Sequence, residues 1–489
     1  MDFFFRHLNL DSESVISSSS NEFYSYKTLF ANIIQASHYF KKNNITNIVF
    51  CVKNSYGFLY SFLGALHAGV DVSILHADYP YETILSVASK LETDLVVYDN
   101  YDEKILFRGF DIESMFQVTR NIESGESNYS FKREFHQASK KGQIILGSSG
   151  TTGEPKLIKH DFKSLISTIK SYTKVLSINF RDQCIIARAM SHISGLGEVI
   201  SCVLAGCSFL ILEDLNSTSI IENIISYKPS YISLSPSVVY ELLAKAEHNI
   251  ELRRIFNKTR KVRAGGGYIS EDIITRFYEC FRVKLETLYG ATECSPIMYN
   301  YQKNDKKKAS LGKPIDGVNV KILDKYNLQK VKDGDVGELY IQSESLFKSY
   351  LSGSTNIIAN QDDWYCTQDL VRKDEDGYYW FISRANDLIQ KSNESIFPIE
   401  IEEAMIKHDK IVSCVTVAKS DFVYNFVPVA WYKTKDHIPL SKEDLLQHLS
   451  KYIRKFIMPN IFHHCIEFPM LSNGKEDRKK IAKISESLI

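Results

Sequence analysis

The chain has 489 residues, 44% of them hydrophobic and 24% charged, the profile of a soluble globular protein too long for one small core. Lys plus Arg and Asp plus Glu each total 59, so no global field draws nucleic acid or an anionic membrane. Nine cysteines lie dispersed with no CxxC pair, and Cys202 and Cys207 have no histidine at zinc-ligand spacing; such a set points to reduced thiols in the cytoplasm.

The first residues, MDFFFRHLNLD, carry an acid at position 2 and only three consecutive apolar residues, which is no signal peptide. The longest apolar region, NSYGFLYSFLGALHAGVDVSIL at 54–75, contains Asn, His, Asp and glycines and reads as a buried helix leading into a strand, not as a membrane span. Strand-like runs at 47–52, 71–75, 94–99, 143–147, 184–189, 208–213 and 231–235 alternate with helical patterns such as 81–92 and 220–227. That alternation predicts an α/β protein with largely parallel sheets flanked by helices. From about 310 the texture changes. VNVKILD, GELYIQS and GYYWFIS are joined by KDGD and DEDG turns, a β-rich subdomain spanning about 310–385. The last hundred residues read as a small α+β unit, with helices at 398–408 and 442–456 around a strand at 412–418. A boundary in the polar stretch 384–387 divides the chain into 1–385 and 386–489.

Between the strand-like QIIL and the helical DFKSLISTIKSY lies GSSGTTGEPK, residues 147–156. Its glycines let backbone N–H groups approach an anion. Ser148, Ser149, Thr151 and Thr152 add hydroxyls, Gly150 and Gly153 add flexibility, and Lys156 adds a charge. A polyphosphate is the natural guest; the competing reading is a solvated Gly/Ser/Thr linker. The loop is not a Walker A motif, because Pro155 precedes Lys156 and Leu157 follows it.

SSGTTGEPK resembles the phosphate loop of the adenylate-forming superfamily, which comprises acyl- and aryl-CoA synthetases, nonribosomal peptide adenylation domains and luciferases. The resemblance continues in order along nearly the whole chain: ALHAGVDVSILHADYP, MSHISGLG, RAGGGYIS, YGATE, SLGKPIDGVNVKILD, GDVGELYI, DWYCTQDL, SRANDLIQKSNESIFPIEIE and LSNGKEDR. It implies a large N-terminal adenylating domain and a small mobile C-terminal domain. It also implies a two-step reaction: a carboxylate attacks the α-phosphate of ATP to give acyl-AMP and pyrophosphate, and a thiol then displaces AMP. ATP and Mg2+ are the implied cofactors. The acceptor is coenzyme A or, alternatively, a carrier protein bearing phosphopantetheine; a third possibility is a non-catalytic nucleotide- or acyl-binding homologue.

Residue by residue, the resemblance assigns ATP or AMP binding to Ser148, Ser149, Gly150, Thr151, Thr152, Gly153, Lys156, Gly267, Tyr289, Gly290, Thr292, Asp369 and Arg384. Asp369 would grip the ribose diol, since a carboxylate accepts two hydrogen bonds. Glu293, with Thr152, would hold the metal ion as a hard oxygen ligand. Lys475, Thr292 and His192 are the candidate catalytic residues, Lys475 offsetting charge between the attacking carboxylate and the α-phosphate. Asn386 matches the hinge. His192, Ser194, Gly195, Gly265, Gly266, Tyr268, Ala291 and Ile297 would line the acid pocket. Taken singly, each polar residue here is ordinarily a solvated or structural one.

Several family glycines are replaced: Gln368 in TQD, Ser383 before Arg384, Ser392–Asn393 after the hinge, and Leu157 after the loop lysine. These put the thiolation step in more doubt than adenylation. The segment MSHISGLGE holds no aspartate to pair an α-ammonium, and Glu198 lies several residues beyond His192. A buried ammonium without a counter-charge is costly, so the expected substrate is an aryl or medium acyl acid without an α-amino group. Lys313 and Lys391 are candidates for the coenzyme A nucleotide.

Overall fold

The computed structural model describes residues 15–18, 22–98, 142–148, 155–246, 249–351, 364–392, 394–471 and 476–487. Its core is formed by two large sheets with helices packed between and around them. The first has nine strands in the order Lys313–Pro314, Cys294–Asn300, Leu285–Ala291, Lys261–Gly265, Tyr231–Leu234, Gln183–Ile186, Ser208–Ile211, Val15–Ser18 and Phe23–Ser25. The second has six: Ser349–Tyr350, Lys156–His160, Ile144–Ser148, Asp71–Leu75, Asn47–Cys51 and Leu95–Tyr98. Central strands pair in parallel. They are apolar on both faces because helices cover both sides: Ile48, Val49, Phe50 and Cys51, then Val72, Ile74 and Leu75, are all buried.

The helices have clear local causes. Ser25 and Ser55 cap Tyr26–Lys42 and Tyr56–Ala68 by accepting from the Thr28 and Phe58 backbone N–H groups. Gly69, at φ 81°, ends the second in the left-handed conformation that favours glycine. Tyr56–Ala68 is buried on nearly every face and leads directly into the strand Asp71–Leu75, as the sequence predicts. Helices Phe162–Leu176 and Ile193–Ala205 cross where Gly197 meets the Tyr172 ring; a Cβ at that glycine would lie 2.5 Å from the ring. Cys184, Cys202 and Cys207 come together in this core, their sulfurs within 4.8 Å of one another; spacing along the chain had left Cys184 out of that group.

The β-rich stretch forms a four-stranded antiparallel sheet, Val318–Leu323, Val336–Ser343, Tyr365–Lys373 and Tyr379–Arg384. After Arg384 the chain leaves it, and Ile389–Lys391 opens a separate sheet. That sheet is ordered Glu394–Ile396, Ile389–Lys391, Asn425–Thr434 and Ile411–Asp421, with Ile461–His464 beside Asn425–Thr434. Helices Pro398–Ile406 and Arg478–Ser485 pack against it.

Several predicted elements shift. The strand expected at 184–189 ends at Ile186, and Ala187–Met190 continues as a connection whose backbone Asn54 clamps. The Asn54 amide donates to the Arg188 carbonyl at 2.9 Å and accepts from the Met190 N–H at 2.7 Å. The helix expected at 442–456 stops at Leu449. Beyond it, Arg454 pairs with Glu394 and Lys391 Nζ donates to the Phe456 carbonyl at 2.6 Å, so tertiary contacts hold the chain in a turn and a short 3-10 segment, Lys455–Ile457. The phosphate-type loop does not run from strand to helix. A strand, Lys156–His160, intervenes and pairs antiparallel with Ile144–Ser148.

Candidate active site

The strands Ile144–Ser148 and Lys156–His160 form the two arms of the Gly/Ser/Thr loop, with Ser148 opposite Lys156. Ser149, Gly150, Thr151, Thr152 and Gly153 lie outside the described residues, as do Asn393 and Lys475. Leu157, where relatives are expected to hold glycine, is buried beside Val49, Leu75 and Ile145.

Beside the loop, YGATE forms the end of Leu285–Ala291 and the turn into Cys294–Asn300. Gly290 is required by packing: a Cβ there would lie 2.5 Å from Ser295 Oγ. Lys156 Nζ stands 3.6 Å from Glu293 Oε1 and 3.5 Å from the centroid of the Tyr350 ring. The Tyr350 hydroxyl donates to the same carboxylate oxygen at 2.8 Å and meets Tyr365 Oη at 3.0 Å. Burial lowers the Lys156 pKa from the ordinary lysine value, and Glu293 only partly opposes this. His160 Nε2 lies 2.9 Å from the Thr292 carbonyl oxygen, so that nitrogen carries a proton and fixes the turn bearing Thr292. The hard carboxylate of Glu293 beside a phosphate-type loop fits a divalent cation held mostly by phosphate oxygens.

A second cluster gathers on the β-rich sheet. Asp369 is cross-strand partner to Arg384, and Arg384 Nε lies 3.1 Å from Asp369 Oδ1. The Tyr289 hydroxyl donates to Asp369 Oδ2 at 2.5 Å, which ties YGATE to TQD. Burial, then the Asp369 charge, drive the Tyr289 pKa far above the usual phenol value. Gln368 stands at φ 60°, the backbone conformation a glycine would take there without strain. Its side-chain oxygen accepts from the Asn386 amide at 3.1 Å, and its carbonyl accepts from the Ala385 N–H at 2.9 Å. Ser392, at φ 55°, likewise keeps a left-handed backbone.

The acid-pocket expectations divide. His192 precedes Ile193–Ala205 at the N-cap position, with its ring 5.7 Å from that of His76. Gly195 is there for closeness, since a Cβ would lie 2.2 Å from the Ala189 carbonyl oxygen. Ala291 pairs with Cys294, and Ile297 is fully buried in the main core. Gly265 lies against Leu288 and Gly267 against Pro236. Tyr268 departs from its predicted place. Its hydroxyl donates to Glu403 on the helix Pro398–Ile406, and its ring lies 6.0 Å from Phe381, because a buried phenol takes the nearest carboxylate acceptor. Lys391 is not available to a nucleotide: it is buried, with its ammonium on the Phe456 carbonyl and against the Tyr424 and Phe456 rings.

Sequence reasoning missed four residues here. His160, Tyr350 and Tyr365 carry no motif of their own. Arg188 does leave a signal, a lone charge inside the apolar run CIIARAM. Its guanidinium bonds Ser194 Oγ (3.1 Å), the Leu234 carbonyl (3.1 Å) and the Gly265 carbonyl (2.9 Å). The room that Gly266 was expected to leave for substrate is occupied by Arg188 Nη2, 2.7 Å from where a Cβ would stand.

On the C-terminal side, the ends of the segment carrying Lys475 are pinned. Met470 bridges Glu476, the Asp477 N–H donates to the Pro469 carbonyl at 2.7 Å, and Arg478 grips Glu402 at 2.9 Å.

The fold is shared with solved adenylate-forming structures. o-Succinylbenzoate CoA synthetase from Bacillus subtilis in complex with the acyl-adenylate OSB-AMP superposes with a TM-score of 0.81 at 21% identity, over 98% of this chain and 97% of that one. ATP-bound MatB from Rhodopseudomonas palustris gives 0.82 at 16% identity, over 99% of both. Among curated relatives, 4-coumarate–CoA ligase-like 2 of Arabidopsis thaliana is 25% identical over 82% of this chain and 72% of its own length. 2-Succinylbenzoate–CoA ligase of Enterococcus faecalis is 25% identical over 70% of each. No helix among the described residues is long and apolar enough to cross a membrane. The model of the AMP-binding enzyme family matches residues 6–351, and that of the AMP-binding enzyme C-terminal domain matches residues 400–475; the chain belongs to the AMP-binding enzymes.

Proposed function

We propose that the protein is a cytoplasmic ATP-dependent acid–thiol ligase, which adenylates an aryl or acyl carboxylate without an α-amino group and transfers the acyl group to coenzyme A. The observation that carries this reading is the convergence of Glu293, Lys156 and Tyr350 at the arms of the Gly/Ser/Thr loop, joined through YGATE to Asp369.

The first half-reaction brings two anions together, so the protein must offset charge while aligning them. Loop residues 148–153 and Lys156 bind the β- and γ-phosphates. Asp369 accepts from the ribose hydroxyls, and Tyr289 and Arg384 hold its carboxylate in place. Glu293, with Thr152, would hold Mg2+, which would supply neutralisation of phosphate charge. Lys475 would offset the charge that builds between the attacking carboxylate and the α-phosphate, and Thr292 and His192 would serve the same step. The domain 386–489 then turns about Asn386, withdrawing Lys475 and admitting the thiol.

ATP–pyrophosphate exchange with a panel of acids tests the first half. Lys475→Ala is expected to lower exchange about 100-fold or more, in the range for removing one transition-state charge contact, while ATP binding persists. Unchanged exchange removes Lys475 from the reaction. Thioester yield with coenzyme A against a holo carrier protein tests the acceptor, and exclusive use of the carrier overturns the coenzyme A assignment.

A further inference from the structure

Away from the proposed active site, three side chains gather that adenylation does not use. Cys184, Cys202 and Cys207 are free thiols, each 0% exposed. Their sulfurs lie within 4.8 Å of one another, and Cys184 Sγ is 3.8 Å from Cys207 Sγ. They come from three places: the strand Gln183–Ile186, the last turn of the helix Ile193–Ala205, and the turn that enters the strand Ser208–Ile211. No histidine, carboxylate or further cysteine joins the group among the described residues. A buried cysteine can serve as a small apolar side chain. Packing, however, asks only for volume and does not require three sulfurs to converge from separate elements.

The backbone that carries them is fixed. Gln183–Ile186 pairs in parallel with Ser208–Ile211, with Cys184 opposite Phe209. Gly206, at φ 65°, ends the helix and turns the chain back through Cys207. The Tyr26 hydroxyl reaches the carbonyls of both Cys202 and Cys207, at 3.2 and 2.7 Å, which leaves sulfur as the donor set. An ion about 2.3 Å from three thiolate sulfurs in a trigonal plane holds those sulfurs roughly 4 Å apart, close to the spacing here. Zinc in a structural site takes four ligands, and this group supplies three. Soft sulfur ligands without imidazole or oxygen select Cu(I), for which three ligands suffice. One such cation replaces one thiol proton, an S–Cu bond forming as an S–H bond breaks and the proton leaving to water. The net charge of the core is then unchanged, which avoids the cost of a buried charge. Entry needs only a local opening, since Leu204, Ala205 and Ser208 around the turn are half-buried and Gln183 beside Cys184 is exposed.

We propose that Cys184, Cys202 and Cys207 form a three-sulfur binding site for a single soft monovalent cation, Cu(I). The site is independent of the ligase reading above. Its ion joins the end of Ile193–Ala205 to two neighbouring strands of the nine-stranded sheet, so loading stabilises the folded chain.

The test uses the full-length reduced protein without oxygen. Its accessible thiols are first alkylated, and mass spectrometry verifies that the three buried ones are unmodified. Cu(I) is then offered from a coloured chelator, with Zn(II) offered from its own chelator in a parallel arm. One Cu(I) per chain is expected to transfer, X-ray absorption should show three sulfur neighbours, and thermal melting should move upward. Cys202→Ala and Cys207→Ala should each lower Cu(I) affinity about 100-fold or more, beyond the roughly 10–100-fold that loss of an outer-shell partner costs. Cys414→Ala, at a buried cysteine outside the group, should leave it unchanged. If a substituted protein does not fold, the count of sulfur neighbours in the unsubstituted protein decides. No transfer of Cu(I) after alkylation, binding that survives both substitutions, or a count of two sulfurs overturns the site. One Zn(II) held on these sulfurs in preference to Cu(I) overturns the assignment of the ion. None of these outcomes touches the ligase reading, which ATP–pyrophosphate exchange tests separately.

Discussion

At Gln368 a side chain occupies a backbone conformation that favours glycine, with φ 60°. L-residues pay roughly 1–2 kcal/mol for left-handed backbone, yet the position next to Asp369 keeps the shape. The side chain returns part of this by bonding Asn386 at 3.1 Å, so the departure from the family pattern also tethers the proposed hinge. Gln368→Gly is therefore expected to raise unfolding stability by up to about 1 kcal/mol, the strain relieved less the extra freedom glycine gains when unfolded. Urea denaturation measures it, and a clear loss of stability would show that the Asn386 bond outweighs the backbone strain. The glycine losses were legible in the sequence. Their consequence was not, because whether a turn survives the loss of glycine depends on hydrogen bonds from residues that lie elsewhere in the chain.

Between the helices Tyr26–Lys42 and Tyr56–Ala68 the contact is close: a Cβ at Gly64 would lie 2.6 Å from that of Ala36. Near this crossing His67 is buried, with Nδ1 2.8 Å from Ser37 Oγ. Burial first, and then the positive charge of Lys41, lower its pKa from 6.5 to about 4. The unfolded chain therefore binds a proton at a pH where the folded one does not. Stability from this site is fully present above pH 6.5 and is lost as pH falls toward 4, by on the order of 3 kcal/mol in all. Thermal melts at pH 7 and pH 4.5 should show a drop that His67→Asn reduces; an unchanged drop would place the acid sensitivity elsewhere. The helix Tyr56–Ala68 and the strand after it could be read from 54–75, where an apolar run carries its own cap and glycine stop. The strand Lys156–His160 could not. Five residues with two lysines and a histidine show little apolar pattern, and they become a strand because Ile144–Ser148 and Ser349–Tyr350 pair with them on either side.

Across the whole molecule, the α/β class and the change to turn-linked antiparallel strands were legible because alternating strand and helix patterns give way to strands joined by KDGD and DEDG turns. The way the C-terminal part meets the rest was not, since it depends on pairs distant in sequence. Ile389, Ile396 and Ile401 share a buried apolar cluster with Val239 and Leu242 of the helix Pro236–Ala246, and Tyr268 donates to Glu403 across the same junction. Tyr268 also follows directly on Gly265, Gly266 and Gly267, the glycines proposed for the acid pocket, so this bond would link the orientation of the C-terminal domain to that proposed wall. If that domain must turn between half-reactions, the Tyr268–Glu403 bond forms in one arrangement and breaks in the other. Tyr268→Phe keeps the ring and removes the bond. A net loss of about 1–3 kcal/mol is expected for an acceptor charge left unpaired in the docked arrangement, which shifts the balance away from it by about 5- to 150-fold. Limited proteolysis of the connection at 384–389 should then quicken, with the stability of the N-terminal domain unchanged. Cleavage at the same rate in both proteins would mean that the apolar cluster alone holds the junction.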